Sequence, residues 1–397
     1  MKKLLVYSHD TYGLGNIRRM LAICQHLIAA LPDLSVLMVT GSPVIHSLRL
    51  PDKLDYIKLP CLTRISRGQY VTRYLNTDIS EAIRLRSELI QTTAAFFRPD
   101  LLMVDKTPLG VQGELAGTLE YLHAQQPAIS KVLVLRDILD SAAAVTHNWE
   151  RNGHYEAISQ SYDEVLVLGE RAIFDPVQEY RVPAEVAAKT VFCGYIGKQA
   201  APHSRERVRR SLHLAEHEKL MLVTPGGGED GYEMVARYLT ALPALPPASG
   251  WRSLIVSGPE MPFAHKARLQ QQAAGNPQVI FDEFSGEMMS LMAAADVVVA
   301  VGGYNTICEI LSLNKPAIII PRVRPTEEQL IRADRMARHG LFSMIHPDEL
   351  TPEMLLQHLT AAMAERPQAT WRPDLNALEV VTAQVSKLLS HDAARLA

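Results

Sequence analysis

Cysteine is scarce in this sequence: four residues in 397 (Cys24, Cys61, Cys193, Cys308), scattered, with no CxxC spacing and no companion histidine pair. That excludes a zinc site of the usual spacing and a disulfide framework, and leaves buried free thiols as the expectation. An excess of one charge is also lacking. Lys and Arg number 40 against 43 Asp and Glu, a formal net charge of −3, so the overall field offers nucleic acid no attraction and any polyanion site must be local. No stretch approaches the roughly 18 consecutive apolar residues that cross a bilayer. The opening MKKLLVYSHD has too short an apolar run for a signal peptide. A cytoplasmic chain with no nucleic-acid partner is expected, with peripheral membrane contact left open. Absent too are a GKS or GKT P-loop, a D-x-D triplet for a divalent ion against a diphosphate, solenoid repeats and low-complexity tracts.

What is present is an ordinary globular composition, 47% hydrophobic and 21% charged, in a chain long enough for two cores of roughly 200 residues each. Short Val/Ile/Leu-rich runs alternate with helical periodicity, the pattern of parallel sheets covered on both faces. KLLVYS, SVLMVT, DYIKL, DLLMVD, KVLVLR, EVLVLG and TVFCG form one set of predicted strands; KLMLVT, SLIVSG, QVIFD, DVVVAV, PAIII and LFSMI form another. YIGKQAAPHSRERVRR interrupts the alternation and places a boundary near residues 196–204. The expected domains are 1–197, 198–375 and a helical tail, 376–397. ALPALPPASG (241–250) reads as a surface connection. RISRGQYVTRY (64–74) reads as a basic loop, a solvated face or a grip for an acidic acceptor. His147 and His154 read as surface histidines.

Ligands of such sheets bind outside the carboxyl ends of the strands, so the loop that leaves each strand matters most. After the first strand comes YSHDTYGLGNIRRM, with Gly13 and Gly15 but Asn16 where a dinucleotide fingerprint would continue toward a third glycine. TPGGGEDGYEM (224–234) carries three consecutive glycines, whose entropy cost argues for close approach of a ligand rather than a simple turn. DVVVAVGGYNTICEIL (296–311) delivers Gly302 and Gly303 into a helix start, where free N–H groups and the dipole can receive a diphosphate. Thr306 and Glu309 also spell a capping box, so Glu309 is either a cap or a ligand for ribose hydroxyls. In RVRPTEEQLIRADRM (322–336), Thr326 and Gln329 fit a second box, while Glu328 and Gln329 have the donor and acceptor atoms to read sugar hydroxyls.

In the order TPGGGEDG, FDEFSGEM, AVGGYNTICEIL and PRVRPTEEQLIRADRM, the second half resembles the donor-binding half of two-domain GT-B glycosyltransferases, specifically the MurG-like superfamily. YSHDTYGLGNIRRM, VDKTPLGVQGEL and LRDILD resemble a bacterial branch of predicted glycosyltransferases within it. The resemblance implies two Rossmann-like domains with parallel sheets facing across a cleft, and a C-terminal helix returning to the first domain. It implies that Gly226, Gly227 and Gly302 to Asn305 line the donor diphosphate, that Phe284 and Ser285 meet the nucleobase with Met288 packed on it, that Glu309 binds the ribose, and that Glu328 and Gln329 contact the sugar. The implied activity is metal-independent transfer from a nucleotide diphosphate sugar, UDP-linked, to an unknown acceptor: a glycan, a lipid-linked group or a small molecule. The nucleotide sugar is then a substrate, and no separate cofactor is expected. A nucleotide-sugar epimerase or hydrolase on the same plan, and a non-catalytic sugar-nucleotide-binding subunit, are the rivals.

One departure bears on the chemistry. Many relatives carry His where this chain has Asn16, and asparagine cannot take a proton. The remaining base candidates at strand ends are Asp105, His9, Asp137 and Asp10. Asp105 stands beside Lys106 and Asp137 beside Arg136, neighbours that favour an ionised carboxylate; each is equally readable as a structural group.

Overall fold

A computed structural model describes residues 1–9, 15–66, 68–245, 250–364, 369 and 371–395. In chain order the elements are β1 (Lys2–Ser8), α1 (Gly15–Ala30), β2 (Leu34–Thr40), β3 (Leu54–Lys58), β4 (Leu62–Ser66), β5 (Gln69–Thr72), α2 (Ile79–Phe97), β6 (Leu101–Asp105), α3 (Ala116–Gln125), β7 (Ser130–Arg136), α4 (Ala142–Arg151), α5 (His154–Ser161), β8 (Glu164–Leu168), the short α6 (Pro176–Glu179) and α7 (Ala184–Ala187), and β9 (Thr190–Phe192). There follow α8 (Ser204–Ser211), β10 (Lys219–Thr224), α9 (Tyr232–Ala241), β11 (Trp251–Val256), α10 (Phe263–Ala273), β12 (Val279–Asp282), α11 (Met288–Ala294), β13 (Val297–Ala300), α12 (Tyr304–Leu313), β14 (Ala317–Ile319), α13 (Glu328–Arg338), β15 (Ser343–Met344), α14 (Pro352–Ala364) and α15 (Ala377–Arg395). The chain divides into two compact units, Met1–Ile196 with Asn376–Ala397, and Gly197–Leu375.

The first unit is built on a seven-stranded sheet in the order β3-β2-β1-β6-β7-β8-β9, with every neighbouring pair parallel. Its central strands are buried on both faces, which is why they read as continuous apolar runs rather than alternating ones. Leu4 to Tyr7 and Leu101 to Val104 are inaccessible or nearly so. Helix α1 buries Ile17, Met20, Cys24 and Leu27 at helical spacing, and α15 packs against it. All four cysteines are buried, and none forms a disulfide.

The second unit carries a six-stranded parallel sheet, β12-β11-β10-β13-β14-β15. Met221, Val223, Val297 and Val299 pack with Val235, Tyr238, Ile255, Leu355 and Leu359 in its core. In both sheets the strand order reverses beside the first strand, between β1 and β6 and between β10 and β13. A parallel sheet opens a crevice at such a switch point.

Several sequence expectations are corrected. The 64–74 segment is not a plain loop: β4 and β5 pair antiparallel as a hairpin, with an irregular register between Arg64 and Ser66. Its residues alternate weakly and carry arginines, which hid the strands from an apolar-run criterion. His154 is buried, not superficial; it lies edge-on to Trp149 with ring centroids 6.4 Å apart. His147 is exposed, as expected. In the 241–250 segment a 3-10 turn spans Leu242–Ala244, and 246–249 lie outside the described residues. Among the described residues no helix is long and apolar enough to cross a membrane.

Candidate functional site

In the second unit the residues implied by the resemblance gather at the carboxyl ends of β12, β10, β13 and β14. Gly226 and Gly227 follow β10, Gly302 and Gly303 follow β13, and Phe284, Ser285 and Met288 follow β12. Glu328 and Gln329 open α13, which follows β14. Phe284 is half-exposed, and the Ser285 hydroxyl accepts from the Glu287 N–H at 3.1 Å.

The glycines separate into two classes. Gly228, with φ +100°, and Gly258, with φ +87°, are required by the chain itself: a Cβ on either would lie 2.3 Å from a backbone oxygen of the other loop. The third glycine of the triplet is therefore explained by two loops packing backbone to backbone, not by a ligand, which corrects that part of the sequence-based expectation. Gly226 (φ +74°) and Gly303 face open space. Gly303 has an extended backbone (φ −64°, ψ 140°) at the N-cap of α12, with no side-chain cap, so the first N–H groups of a ten-residue helix are presented where no Cβ intervenes.

Neither capping box forms. The α12 cap is Gly303, and Thr306 and Glu309 lie inside the helix. The Glu309 carboxylate, 8% exposed, instead receives the Lys198 ammonium at 2.7 Å. The α13 cap is Glu327, with no side-chain cap bond, while Gln329 Oε1 accepts the Arg322 backbone N–H at 3.1 Å. Both boxes are shifted from the true helix starts, so capping is not the role of Glu309, Glu328 or Gln329. Gly302 also packs tightly under Gln329, whose carbonyl oxygen would lie 3.0 Å from a Cβ there.

In the first unit, His9 follows β1 and Asp105 ends β6, on either side of the switch point. The cation that holds Asp105 is Arg19, not the expected neighbour Lys106: Arg19 donates to Asp105 Oδ1 at 2.6 Å with both side chains buried. Asp105 Oδ2, Ser8 Oγ and His9 Nδ1 are buried without a hydrogen-bond partner among the described residues. Burial above all, then the charges of Lys106, Arg86, Arg64 and Arg136, pushes the His9 imidazole well below its ordinary range and keeps it neutral. Lys106 itself sits at φ +70°, an uncommon conformation for a residue with a side chain.

Asn16 is structural in the same corner. Its amide donates to the His9 carbonyl at 2.5 Å and its Oδ1 accepts from Arg19 at 3.1 Å. Asp137 is differently placed: Oδ1 accepts the Ile138 N–H at 2.7 Å and Oδ2 the Tyr195 hydroxyl at 3.2 Å, and Gly169 packs so closely that a Cβ there would lie 2.5 Å from the Asp137 Cβ. Gly15 and Asn16 begin α1; Asp10 and Gly13 lie outside the described residues.

Behind this corner stands a buried triad that sequence reasoning missed. Arg86 grips Glu114 with two donors, at 2.5 and 2.6 Å, and Tyr7 donates to Glu114 at 2.5 Å while accepting the Val111 N–H at 3.0 Å. Burial, then the Glu114 charge, raises the Tyr7 phenol. The signal was available: Arg86 stands in the stripe Ala82, Arg86, Ile90, Ala94, the buried face of α2, and a charge on such a face requires a buried partner.

Residues 252–386 match the family model described as the glycosyltransferase family 28 C-terminal domain. Over 99 residues the chain is 34% identical to the UDP-N-acetylglucosamine--N-acetylmuramyl-(pentapeptide) pyrophosphoryl-undecaprenol N-acetylglucosamine transferase of Glaesserella parasuis, a stretch covering 25% of this chain and 28% of that relative. It is 22% identical over 352 residues, 87% of each, to the transferase of the same name from Lactococcus lactis. The first curated relatives are thus matched over about a quarter of their length. The crystal structure of Acinetobacter baumannii MurG superposes with a TM-score of 0.61 at 14% identity, covering 98% of this chain and all of that one. Residues 252–386 are thus similar to a glycosyltransferase family 28 C-terminal domain, and the chain as a whole has the GT-B fold.

Proposed function

We propose that this chain is a metal-independent glycosyltransferase that moves a sugar from a UDP-linked donor to an acceptor hydroxyl. The observation that carries the reading is the uncapped start of α12 at Gly303, open in front, with Glu309 further along α12 and Glu328 and Gln329 at the start of α13, none of them serving as a cap. The relatives' names specify a UDP-N-acetylglucosamine donor and a pyrophosphoryl-undecaprenol acceptor; we carry over the UDP-sugar and leave the acceptor as a glycan, a lipid-linked group or a small molecule.

The diphosphate lies at the α12 N-terminus and beside Gly226 and Gly227, where backbone N–H groups and the helix dipole stabilise the charge that develops as the anomeric carbon–oxygen bond breaks. Neither a metal nor a cofactor is invoked. Asn305 sits in the first turn, Glu309 takes the ribose hydroxyls, and Phe284, Ser285 and Met288 flank the base. The acceptor hydroxyl gives up its proton as its oxygen bonds the anomeric carbon. Asp105 is the leading base, with one oxygen fixed by Arg19 and the other unengaged. His9, held neutral, is the second candidate, and Asp137 the third, its oxygens already accepting two protein donors.

The test is calorimetric binding of a nucleotide-sugar panel, followed by nucleotide release with and without cell extract as acceptor source, each repeated with EDTA. Extract-dependent UDP release unaffected by EDTA is the expected result. Donor turnover without acceptor, read as UDP release for a hydrolase or as a changed UDP-sugar by chromatography for an epimerase, would move the reading there, and binding without any turnover to a partner subunit. Absence of binding would remove the donor site.

A further inference from the structure

Around Glu328 two arginines form a bridge between three loops. Arg322, just beyond β14, donates to Asp230 Oδ2 of the glycine loop at 3.1 Å and lies 3.6 Å from Glu328 Oε1. Arg332, fully buried one turn along α13, stands 3.5 Å from Glu328 Oε2 and donates to the Gly302 carbonyl at 2.9 Å. A continuous chain Asp230–Arg322–Glu328–Arg332–Gly302 therefore links the loop after β10 to the loop after β13 through one carboxylate that is 5% exposed.

Stability alone does not explain the arrangement. The Arg322 Nε–H is buried without an acceptor among the described residues, a cost of about 1–3 kcal/mol. Both carboxylate oxygens of Glu328 face a guanidinium at ion-pair distance, an arrangement that suits the carboxylate form, which accepts hydrogen bonds without donating any.

We propose that Arg322 is a positioning residue of the donor-sugar site: together with Arg332 it clamps Glu328 as an acceptor-only reader, and through Asp230 it sets that reader in register with the glycine loop. The donor class this selects is a nucleotide sugar whose ring offers free hydroxyl donors to Glu328, and a donor deoxygenated there loses the contact. The inference rests on the donor-site reading above.

The experiment compares UDP with UDP-N-acetylglucosamine by calorimetry in the unmodified protein and in Arg322→Ala, Asp230→Asn, Glu328→Gln and the Arg322→Ala/Glu328→Gln pair, with thermal melting to confirm folding. Arg322→Ala should weaken UDP-N-acetylglucosamine by roughly tenfold and leave UDP within about twofold, and the pair should be no worse than Glu328→Gln alone, because the two act as a unit. Asp230→Asn, which keeps the Arg322–Glu328 contact, should give a smaller loss with the same selectivity for the sugar. Equal weakening of UDP and UDP-N-acetylglucosamine, additive losses in the pair, or no change would overturn the positioning role while leaving the donor site in place. If the unmodified protein binds neither probe, the donor reading falls and this inference with it.

Discussion

Arg19 and Asp105 meet at 2.6 Å with side chains 1% and 0% exposed, one from the buried face of α1 and the other from the end of β6. Removing one partner strands a charge in the interior, so Arg19→Ala should cost about 3–5 kcal/mol in denaturant unfolding. The apolar pair Arg19→Met/Asp105→Leu should recover most of that loss, because two buried charges replaced together leave nothing uncompensated. Turnover should stay abolished in the recovered double variant. A stable, active double variant would eliminate Asp105 as the base.

The two classes of glycine predict opposite behaviour. Gly228→Ala forces a Cβ to 2.3 Å from the Ser257 carbonyl oxygen at φ +100°, and should lower stability by about 3 kcal/mol or more. Gly303→Ala meets open space at φ −64° and should leave the melting temperature nearly unchanged while weakening UDP binding. Unaltered UDP affinity in folded Gly303→Ala would mean that no phosphate approaches α12 there.

Glu309→Gln separates a capping role from a ligand role. The α12 cap is Gly303, and a glutamine keeps a hydrogen-bond acceptor for the Lys198 ammonium at this largely buried pair, so the change should cost about 1–3 kcal/mol of stability. UDP should bind roughly tenfold or more weakly, since a hydrogen bond to a charged group is lost. Intact affinity by calorimetry would return Glu309 to a role in holding Lys198.

Acid sensitivity arises from the buried histidines. Burial pushes His154 down to about 4, against an ordinary value of 6.5. The unfolded chain takes up its proton first as pH falls, so the stabilisation is complete above about 6.5 and is lost progressively toward 4. His9 acts in the same direction. Denaturation curves between pH 7.5 and 4 should show a falling limb that flattens in His154→Gln; an unchanged limb would mean that other groups set it.

Most of the architecture was legible because strands buried on both faces leave uninterrupted apolar runs, as in Leu4 to Tyr7 and Val297 to Ala300. The β4–β5 hairpin was not, since its weak alternation and arginines gave neither a run nor a clear period. Helix starts were misplaced for a related reason: Thr306–Glu309 and Thr326–Gln329 satisfy the capping spacing, yet the strands before them end early enough that α12 begins at Tyr304 and α13 at Glu328. The residues proposed for the donor stand in loops after strands, where the sequence points to them. Their partners, Lys198, Arg322 and Arg332, could not, because long side chains reach across the sheet order to groups up to 111 positions away in sequence, as Lys198 does to Glu309. Asp105 was singled out by its position at a strand end, and its cation was sought one residue away when it came from a helix 86 positions earlier.

Helix α15 belongs to the unit that β1 begins. On a ribosome, all of the second unit is synthesised before the helix that covers α1. The earlier-made half must therefore wait with one apolar flank uncovered while the later-made half can already close its core. A chain halted after residue 375 would leave its early half the more exposed to proteases and chaperones, although that half was synthesised first.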